Sequence, residues 1–314
     1  MPNQTQFAIQ EDLTAVAIMY RNQQMIADNV LPRVTVSSQV FRYNVYAKAD
    51  GFTLPNTLVG RKGATPEVEW SSSRQESSTF DYGLQDALPV QDIQQAAAQG
   101  QDIRLPTAQY VTNLLLLDRE VRVANAVFST AAYAAANRAT LSGTSQWSDY
   151  ANSNPLAAIL AALDTCIMRP NIAVFGRDTW RVLRQHPRIL EAIRGTGAGL
   201  NSQGTVTTQQ LADLLELEAI FVGQGWVNTA KKGQTPNIVR VWGKHASFLY
   251  RDQLATADRG TTFGFTAQWG ERFGANFFDV DRGAKGSEVI RVAESVREII
   301  AANDLGYYFE NAVA

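Results

Sequence analysis

The sequence predicts an α+β fold in which an α/β unit is inserted between β-rich segments that flank one long helix. Three observations predict it. Residues 31–94 read as strand and turn but carry too little apolar mass to bury themselves. Residues 106–133 repeat apolar side chains at helical spacing. Residues 155–250 alternate short helical patterns with short apolar strands, over the length of an ordinary domain.

The first 30 residues carry a short predicted helix near Glu11–Met25 with mixed faces. Strand alternation follows. Phe41, Tyr43, Val45 and Ala47 point one way, and Arg42, Asn44, Tyr46 and Lys48 the other. The return arm repeats the pattern at Val68 and Trp70, and again at Phe80, Tyr82 and Leu84. Between the arms lies LPNTLVGRKGATP (Leu54–Pro66), rich in turn-forming residues. A two-stranded ribbon is marginal in water because nothing covers its apolar face. A chain that spends this much length on such an arm is expected to cover it with another copy of itself, which points to assembly rather than catalysis.

QQAAAQGQDIRLP reads as a short connection into the strongest helical pattern, Pro106–Tyr133. Proline suits a first helical turn, where its missing N–H costs nothing. Tyr110, Leu114, Leu117, Val121, Ala124 and Phe128 form one stripe, with Asp118, Arg119, Arg122 and Asn125 on other faces. Asp118 and Arg122 make a favourable i,i+4 pair. Such a helix is about 40 Å long. It reads as a spine for sheets, or as a plain core helix.

The inserted unit opens where Asn154 caps PLAAILAALDTCIM, with Pro155 at the first helical position. NIAVFG is a short buried strand, and RDTWRVLRQHPRILEAI gives two helical pieces broken at Pro187. After a loop containing Gly195, Gly197, Gly199 and Gly204, Thr207 and Gln210 form a capping box that opens TTQQLADLLELE. AIFVG, NIVRVWG and ASFLYR are further strands, with the polar turn NTAKKGQTPN among them. The last segment returns to β structure. Phe263, Phe265, Ala267 and Trp269 alternate, and Val289, Arg291 and Ala293 oppose Ile290 and Val292.

Composition narrows the function. At 314 residues and 45% apolar content the chain can build one large or two ordinary cores. A formal charge of -2 and a pI near 5.8 exclude a polycation built to neutralise nucleic acid, so contact with DNA would be weak or local. The single Cys166 excludes an intramolecular disulfide framework. MPNQTQFAIQEDLTAV has no basic region followed by an apolar core, and no apolar run nears the roughly 18 residues that span a bilayer. The product reads as soluble and intracellular at the time of folding.

Catalytic and metal constellations are not legible. His186 and His245 stand far apart and read as surface or capping histidines, without the partners that zinc requires. Cys166, beside Ile167 and Met168, reads as a buried inert thiol. No GxSxG elbow or SxxK pair supplies a nucleophile. GTGAG (Gly195–Gly199) follows a helix rather than a strand and reads as a flexible loop. RGAKGS (Arg282–Ser287) lacks phosphate-loop spacing, and Asp279 with Asp281 reads as a solvated turn rather than a weak metal site. No cofactor is expected.

The order of parts, with the strings SSTFDYGLQDALPV, LLLLDREVRVANAVF and RVAESVREIIAANDLGYYFENAV, resembles the major capsid proteins of tailed phages, of Mu-like and related siphophage type. The resemblance covers nearly the whole chain. It implies a shell fold shared with encapsulins, divided into an N-terminal arm (1–35), an extended β-hairpin loop with the strand that follows it (36–94), a peripheral domain with the spine helix (95–154), an inserted axial α/β domain (155–250) and peripheral return strands with the C-terminus (251–314).

It further implies self-assembly into pentamers and hexamers around double-stranded DNA held by weak non-specific contact, with no membrane partner. The hairpin near Gly51–Ala64 would lie over a neighbouring subunit. Inter-subunit contacts would come from Phe41, Tyr43, Arg61, Lys62, Trp70, Phe80 and Tyr82. Loops near Gly195–Gly204 and Gly223–Pro236 would face the capsomer centre. Many relatives carry a cleaved N-terminal scaffolding extension. This chain starts close to the arm, so either a separate scaffold or the absence of that extension is expected, together with a portal protein. An isopeptide cross-link through Lys48 or Lys62, as in some relatives, is not expected, because lysines in loops are usually just solvated. The protein would be assembled in the host cytoplasm and reside in the virion. Two other readings are an encapsulin-type nanocompartment shell and an α/β enzyme with an unrecognised site.

Overall fold

The computed structural model describes residues 8–9, 13–14, 17, 24–46, 53–68, 72–194, 204–252 and 260–314. In chain order the strands are β1 (Ala8–Ile9), β2 (Arg33–Val36), β3 (Val40–Tyr46), β4 (Ser72–Ser78), β5 (Phe80–Pro89), β6 (Arg138–Thr140), β7 (Ile172–Gly176), β8 (Ala219–Gly223), β9 (Trp226–Asn228), β10 (Ile238–Arg240), β11 (Ala246–Leu249), β12 (Gly264–Asp279), β13 (Ser287–Ile300) and β14 (Gly306–Glu310). The α-helices are α1 (Ala27–Val30), α2 (Val90–Ala98), α3 (Arg104–Val127), α4 (Pro155–Thr165), α5 (Arg177–Leu183), α6 (Pro187–Arg194) and α7 (Thr208–Leu215).

One sheet runs β1-β12-β13-β5, with β2 added parallel to β12. The expected alternation of β13 holds: Ile290, Val292 and Val296 are buried on one face. Val292 lies under Val111 and Leu115 of α3, and Ile290 under Ala108. The alternation expected through Trp269 holds in register, with Trp269 opposite Ser295 and Val36. Beyond it a register shift between Trp269 and Phe273, with Gly270 at φ +69°, bulges β12, and Trp269 itself is exposed.

A second sheet runs β6-β14-β11-β7-β8 and packs against α4 to α7. Strand β7 is buried at every position, which is why IAVFG reads as a continuous apolar run. Asn154 accepts the Ala157 N–H, and Thr207 and Gln210 form the reciprocal capping box. The terminal strand β14 hydrogen-bonds into this second sheet, not with the return strands that precede it in sequence. Strand β6 joins it there. The α/β sheet therefore draws on residues outside 155–250. Tyr308 and Phe309 explain the choice, since they fill apolar clusters on opposite faces of β14.

Helix α3 joins the two sheets. Its N-terminal half lies on the first sheet, while Val123, Ala124 and Val127 pack with Ile172, Val174 and Trp242. Its buried face differs from the expected stripe. Ala108, Val111, Thr112, Leu115, Leu116, Arg119, Glu120, Val123, Ala124 and Val127 are buried, whereas Tyr110 is exposed. The LLLL run is compatible with either rotation, and partnered charges on other segments let Arg119 and Glu120 face inward. The helix ends at Val127, and a short 3-10 turn follows over Thr130–Ala132.

Other expectations need correction. Residues 90–98, expected as the end of the arm to residue 94 and a connection after it, form α2, which has no buried residue. The return arm of the hairpin is the polar strand β4, with Val68 exposed and outside any strand. Trp70 and most of the predicted Glu11–Met25 helix lie outside the described residues, although Leu13, Thr14 and Ala17 are helical.

Candidate assembly interface

The hairpin is rooted in its own subunit. Strand β3 pairs antiparallel with β4 from Val40↔Ser78 to Tyr46↔Ser72. Phe41 is buried in a cluster with Val36, Phe265, Ala267 and Ile299. Tyr43 meets the Phe265 ring edge-on at 6.1 Å. Beyond the root, residues 53–68 are exposed throughout. Leu54 and Leu58 are 92% and 84% exposed. The Gly63 N–H donates to the Gly60 carbonyl at 2.8 Å, so Arg61 and Lys62 occupy the centre of a tight turn, both facing solvent. Where the root meets the C-terminal end of α3, an open cavity of about 520 Å³ is lined by Tyr43, Gln75, Asn125 and Asn303, by Val45 and Ile300, and by small residues. Amides and alanines of this kind offer hydrogen bonds but no acid–base pair.

One flank of α3 faces the edge strand β5. The Arg122 guanidinium stacks 3.7 Å above the Tyr82 ring, binds Glu298 at 3.1 Å and closes the expected pair with Asp118. Phe80 is 47% exposed, with Arg297 above its ring. Of the residues expected at an interface, Arg61, Lys62 and Phe80 thus face outward, while Phe41, Tyr43 and Tyr82 are engaged within the subunit.

The opposite flank of α3 is a buried polar joint. Glu120 accepts the N–H groups of Ile26 at 2.9 Å and Ala27 at 2.8 Å, and the indole N–H of Trp242 at 2.6 Å. Burial pushes its carboxyl above the ordinary glutamate value, and these donors offset only part of that. Beside it Arg119, 1% exposed, contacts Asp28 and donates to Thr266 at 3.1 Å. Arg33 joins Asp28 at 2.8 Å to Glu294 at 2.9 Å, and Arg272 reaches the same Glu294 oxygen. Burial pushes Asp28 and Glu294 up, but the guanidiniums outweigh it and hold both below their ordinary values. This network fastens α1 and β2 to the spine and to both long strands.

Above that joint rises a ribbon, β9 with β10, paired from Trp226↔Arg240 to Asn228↔Ile238. Trp226 is 49% exposed and Ile238 61%. The Arg240 guanidinium lies 3.6 Å from the centre of the Trp226 indole and also donates to the Gln224 carbonyl at 2.9 Å. The tip is ordered by Asn228, whose side-chain oxygen accepts the N–H groups of Ala230 and Asn237. At the root, Gly223 packs on Trp242 so closely that a Cβ would sit 2.0 Å from the indole. The strand Trp226–Asn228 escapes sequence analysis because three residues are too few to show alternation.

The candidates for chemistry resolve into structural roles. His186 is buried, not on the surface as expected, though it does cap: its Nδ1 accepts the Arg188 N–H at 3.2 Å. Its Nε2 lies 3.0 Å from the Ser153 hydroxyl. Because Nδ1 accepts, neutral His186 carries its proton on Nε2 and donates to Ser153, which in turn donates to the Asp149 carbonyl at 2.6 Å. That polarity cannot activate a serine. Burial, helped by Arg188, pushes the His186 imidazole down to about 4. His245 accepts the Asn311 N–H at 3.1 Å. Cys166 is buried. Asp279 accepts the Asp281 N–H and pairs with Arg282 at 3.0 Å, closing a turn. Lys48 and the GTGAG loop lie outside the described residues. Among the described residues no cluster of His, Cys, Asp or Glu is placed to hold a metal, and no helix is long and apolar enough to cross a membrane.

No family model matches the chain. It is 52% identical over 98% of its length, and 98% of the relative's, to the major capsid protein of Pseudomonas phage JBD67. It is 26% identical to the major capsid protein of Burkholderia phage BcepMu, across 76% of this chain and 75% of that one. Among solved structures, a phage-related protein from Bordetella bronchiseptica RB50 superposes with a TM-score of 0.74 at 22% identity, covering 98% of both chains. The capsid of cyanophage P-SCSP1u gives 0.55 at 12% identity, over 93% of this chain and 89% of that one. At these identities the structural likeness speaks to the fold alone.

Proposed function

The chain belongs to the major capsid proteins of tailed phages, and on that premise we propose that its copies close into pentamers and hexamers that tile an icosahedral head around double-stranded DNA. The loop at residues 53–68 carries this reading. Its root is stapled by Phe41 and Tyr43, yet Leu54, Leu58 and Val68 stand exposed, with no partner among the described residues covering them. A neighbour supplies the missing layer.

Residues 1–35 act as the arm, 36–94 as the clasp, 95–154 and 251–314 as the peripheral domain, and 155–250 as the core of the axial domain. Arg61, Lys62, Phe80 and Trp70 touch the neighbour directly. Phe41, Tyr43 and Tyr82 act at the interface by fixing where the clasp and β5 stand. The protein's role is structural and not enzymatic. A mildly acidic subunit contains packed DNA without gripping it, since phosphate binding needs clustered lysine and arginine. A scaffold and a portal complete assembly in the host cytoplasm. Negative-stain microscopy of the purified protein tests the proposal. Closed shells of uniform size are the expected result, and one homogeneous small oligomer under all assembly conditions would refute it.

A further inference from the structure

We infer that the ribbon Trp226–Arg240 of one subunit docks on the acidic edge formed by β5 and α2 of the next copy, closing subunits head to tail into a ring. The inference rests on the capsomer-forming reading above and names the surfaces that would build it.

The charge of this nearly neutral chain is segregated. Residues 80–103 contain Asp81, Asp86, Asp92 and Asp102 and no lysine or arginine. Residues 219–250 contain Lys231, Lys232, Arg240 and Lys244 and no aspartate or glutamate. Both segments also expose apolar anchors, Phe80 and Leu84 on one, Trp226 and Ile238 on the other. Arg104 follows at once and pairs with Asp102 and Glu288. Arg291 and Arg297 stand one strand behind the acidic rim, engaged with Gln85 and the Phe80 ring, so Asp86 and Asp92 carry the exposed charge.

Each surface lacks a layer. Strand β5 is ten residues long and ends the sheet path, with no lysine and with proline only at its last position. Such an edge lacks lysine and an interior proline, the stronger protections against pairing with another chain. Helix α2 follows directly and buries none of its residues. The ribbon has only three residue pairs in the register, too few for a stable free-standing hairpin, and it shows apolar side chains on both faces. Tryptophan stacked with arginine is a usual composition for an interface anchor.

Helix geometry sets the two surfaces apart. Arg122 faces Tyr82 on β5, whereas Glu120 faces Trp242 at the ribbon root. Two helical residues turn the direction by about 200°. The complementary surfaces therefore lie on opposite flanks of α3 and cannot meet within one subunit. Complementary patches on opposite flanks make a heterologous contact, which closes into a ring when the rotation permits.

Charge reversal with rescue tests the assignment. Lys231→Glu with Lys232→Glu, and separately Asp86→Lys with Asp92→Lys, are expected to raise the protein concentration needed for assembly by about tenfold or more. Combining the four substitutions should restore assembly, with circular dichroism confirming folded subunits throughout. Normal assembly of both pairs, or no rescue in the combination, overturns the inference. Should a charge variant fail to fold, Asp86→Cys and Lys232→Cys subunits co-expressed in particles supply the readout. After oxidation of the purified particles with diamide, disulfide-linked dimers on a non-reducing gel are expected, and their absence overturns it. If the unmodified chain forms neither rings nor shells, the capsomer reading fails instead.

Discussion

The Glu120 carboxylate and the Trp242 indole meet at 2.6 Å in the interior, and this contact ties the spine helix to the root of the β9–β10 ribbon. The same carboxylate takes the first N–H groups of α1, so three segments far apart in sequence share one acceptor. A buried carboxylate is costly to keep charged, which is why its proton affinity is raised.

Removing that acceptor leaves three buried donors unpaired. Glu120→Ala is expected to cost roughly 3 kcal/mol or more of subunit stability, and Glu120→Gln less, because its carbonyl can still take the Ile26 and Trp242 donors while its amide hydrogens face the Ala27 N–H. Urea titration of isolated subunits measures it. A loss below about 0.5 kcal/mol, the size of an ordinary surface change, would remove Glu120 from this role.

Phe41 sets the direction of the hairpin. Phe41→Ala should destabilise the subunit by about 3 kcal/mol, since it empties a small cluster that cannot easily collapse. Faster proteolysis between residues 53 and 68 should accompany it. Unchanged cleavage with lowered stability would separate the core role from the rooting role.

Deletion of Asn56–Gly63 is expected to leave subunits folded, because those residues are exposed and bury nothing. Shell stability should fall, and thermal disassembly followed by light scattering should move to lower temperature. Shells of normal heat resistance would show that the loop is not a clasp.

His186 gives an acid-labile step. Its proton affinity in the folded state lies at about 4, against an ordinary value of 6.5, so folding disfavours the charged form. The stability it protects is complete above pH 6.5 and lost as the pH falls towards 4. The loss should reach roughly 3 kcal/mol. Urea midpoints across this range should slope downward with acidity for the native chain and flatten for His186→Asn. Equal slopes would exclude His186 as the cause.

Much of this was legible in local pattern. The caps at Asn154 and Thr207, the break at Pro187 and the buried run of β7 depend only on neighbours in sequence, and they appear where local chemistry puts them. The unsupported hairpin was visible too, because a shortage of apolar residues is a property of composition. The return strand SSRQESS was not, since a polar strand on an exposed ribbon carries no periodic signal.

By itself the sequence determined the α+β class, the spine and the need for a partner, all of which follow from composition and short-range spacing. Tertiary structure alone decided which face of the spine is buried. Arg119 and Glu120 look like surface residues until Asp28, Thr266, Trp242 and the N–H groups of α1 are brought around them. It also placed β14 in the α/β sheet, and it set the acidic edge and the cationic ribbon on opposite flanks of one helix. Those facts arise from contacts between segments dozens of positions or more apart, where buried charge pairing around the spine and apolar burial around β14 outweigh local preference.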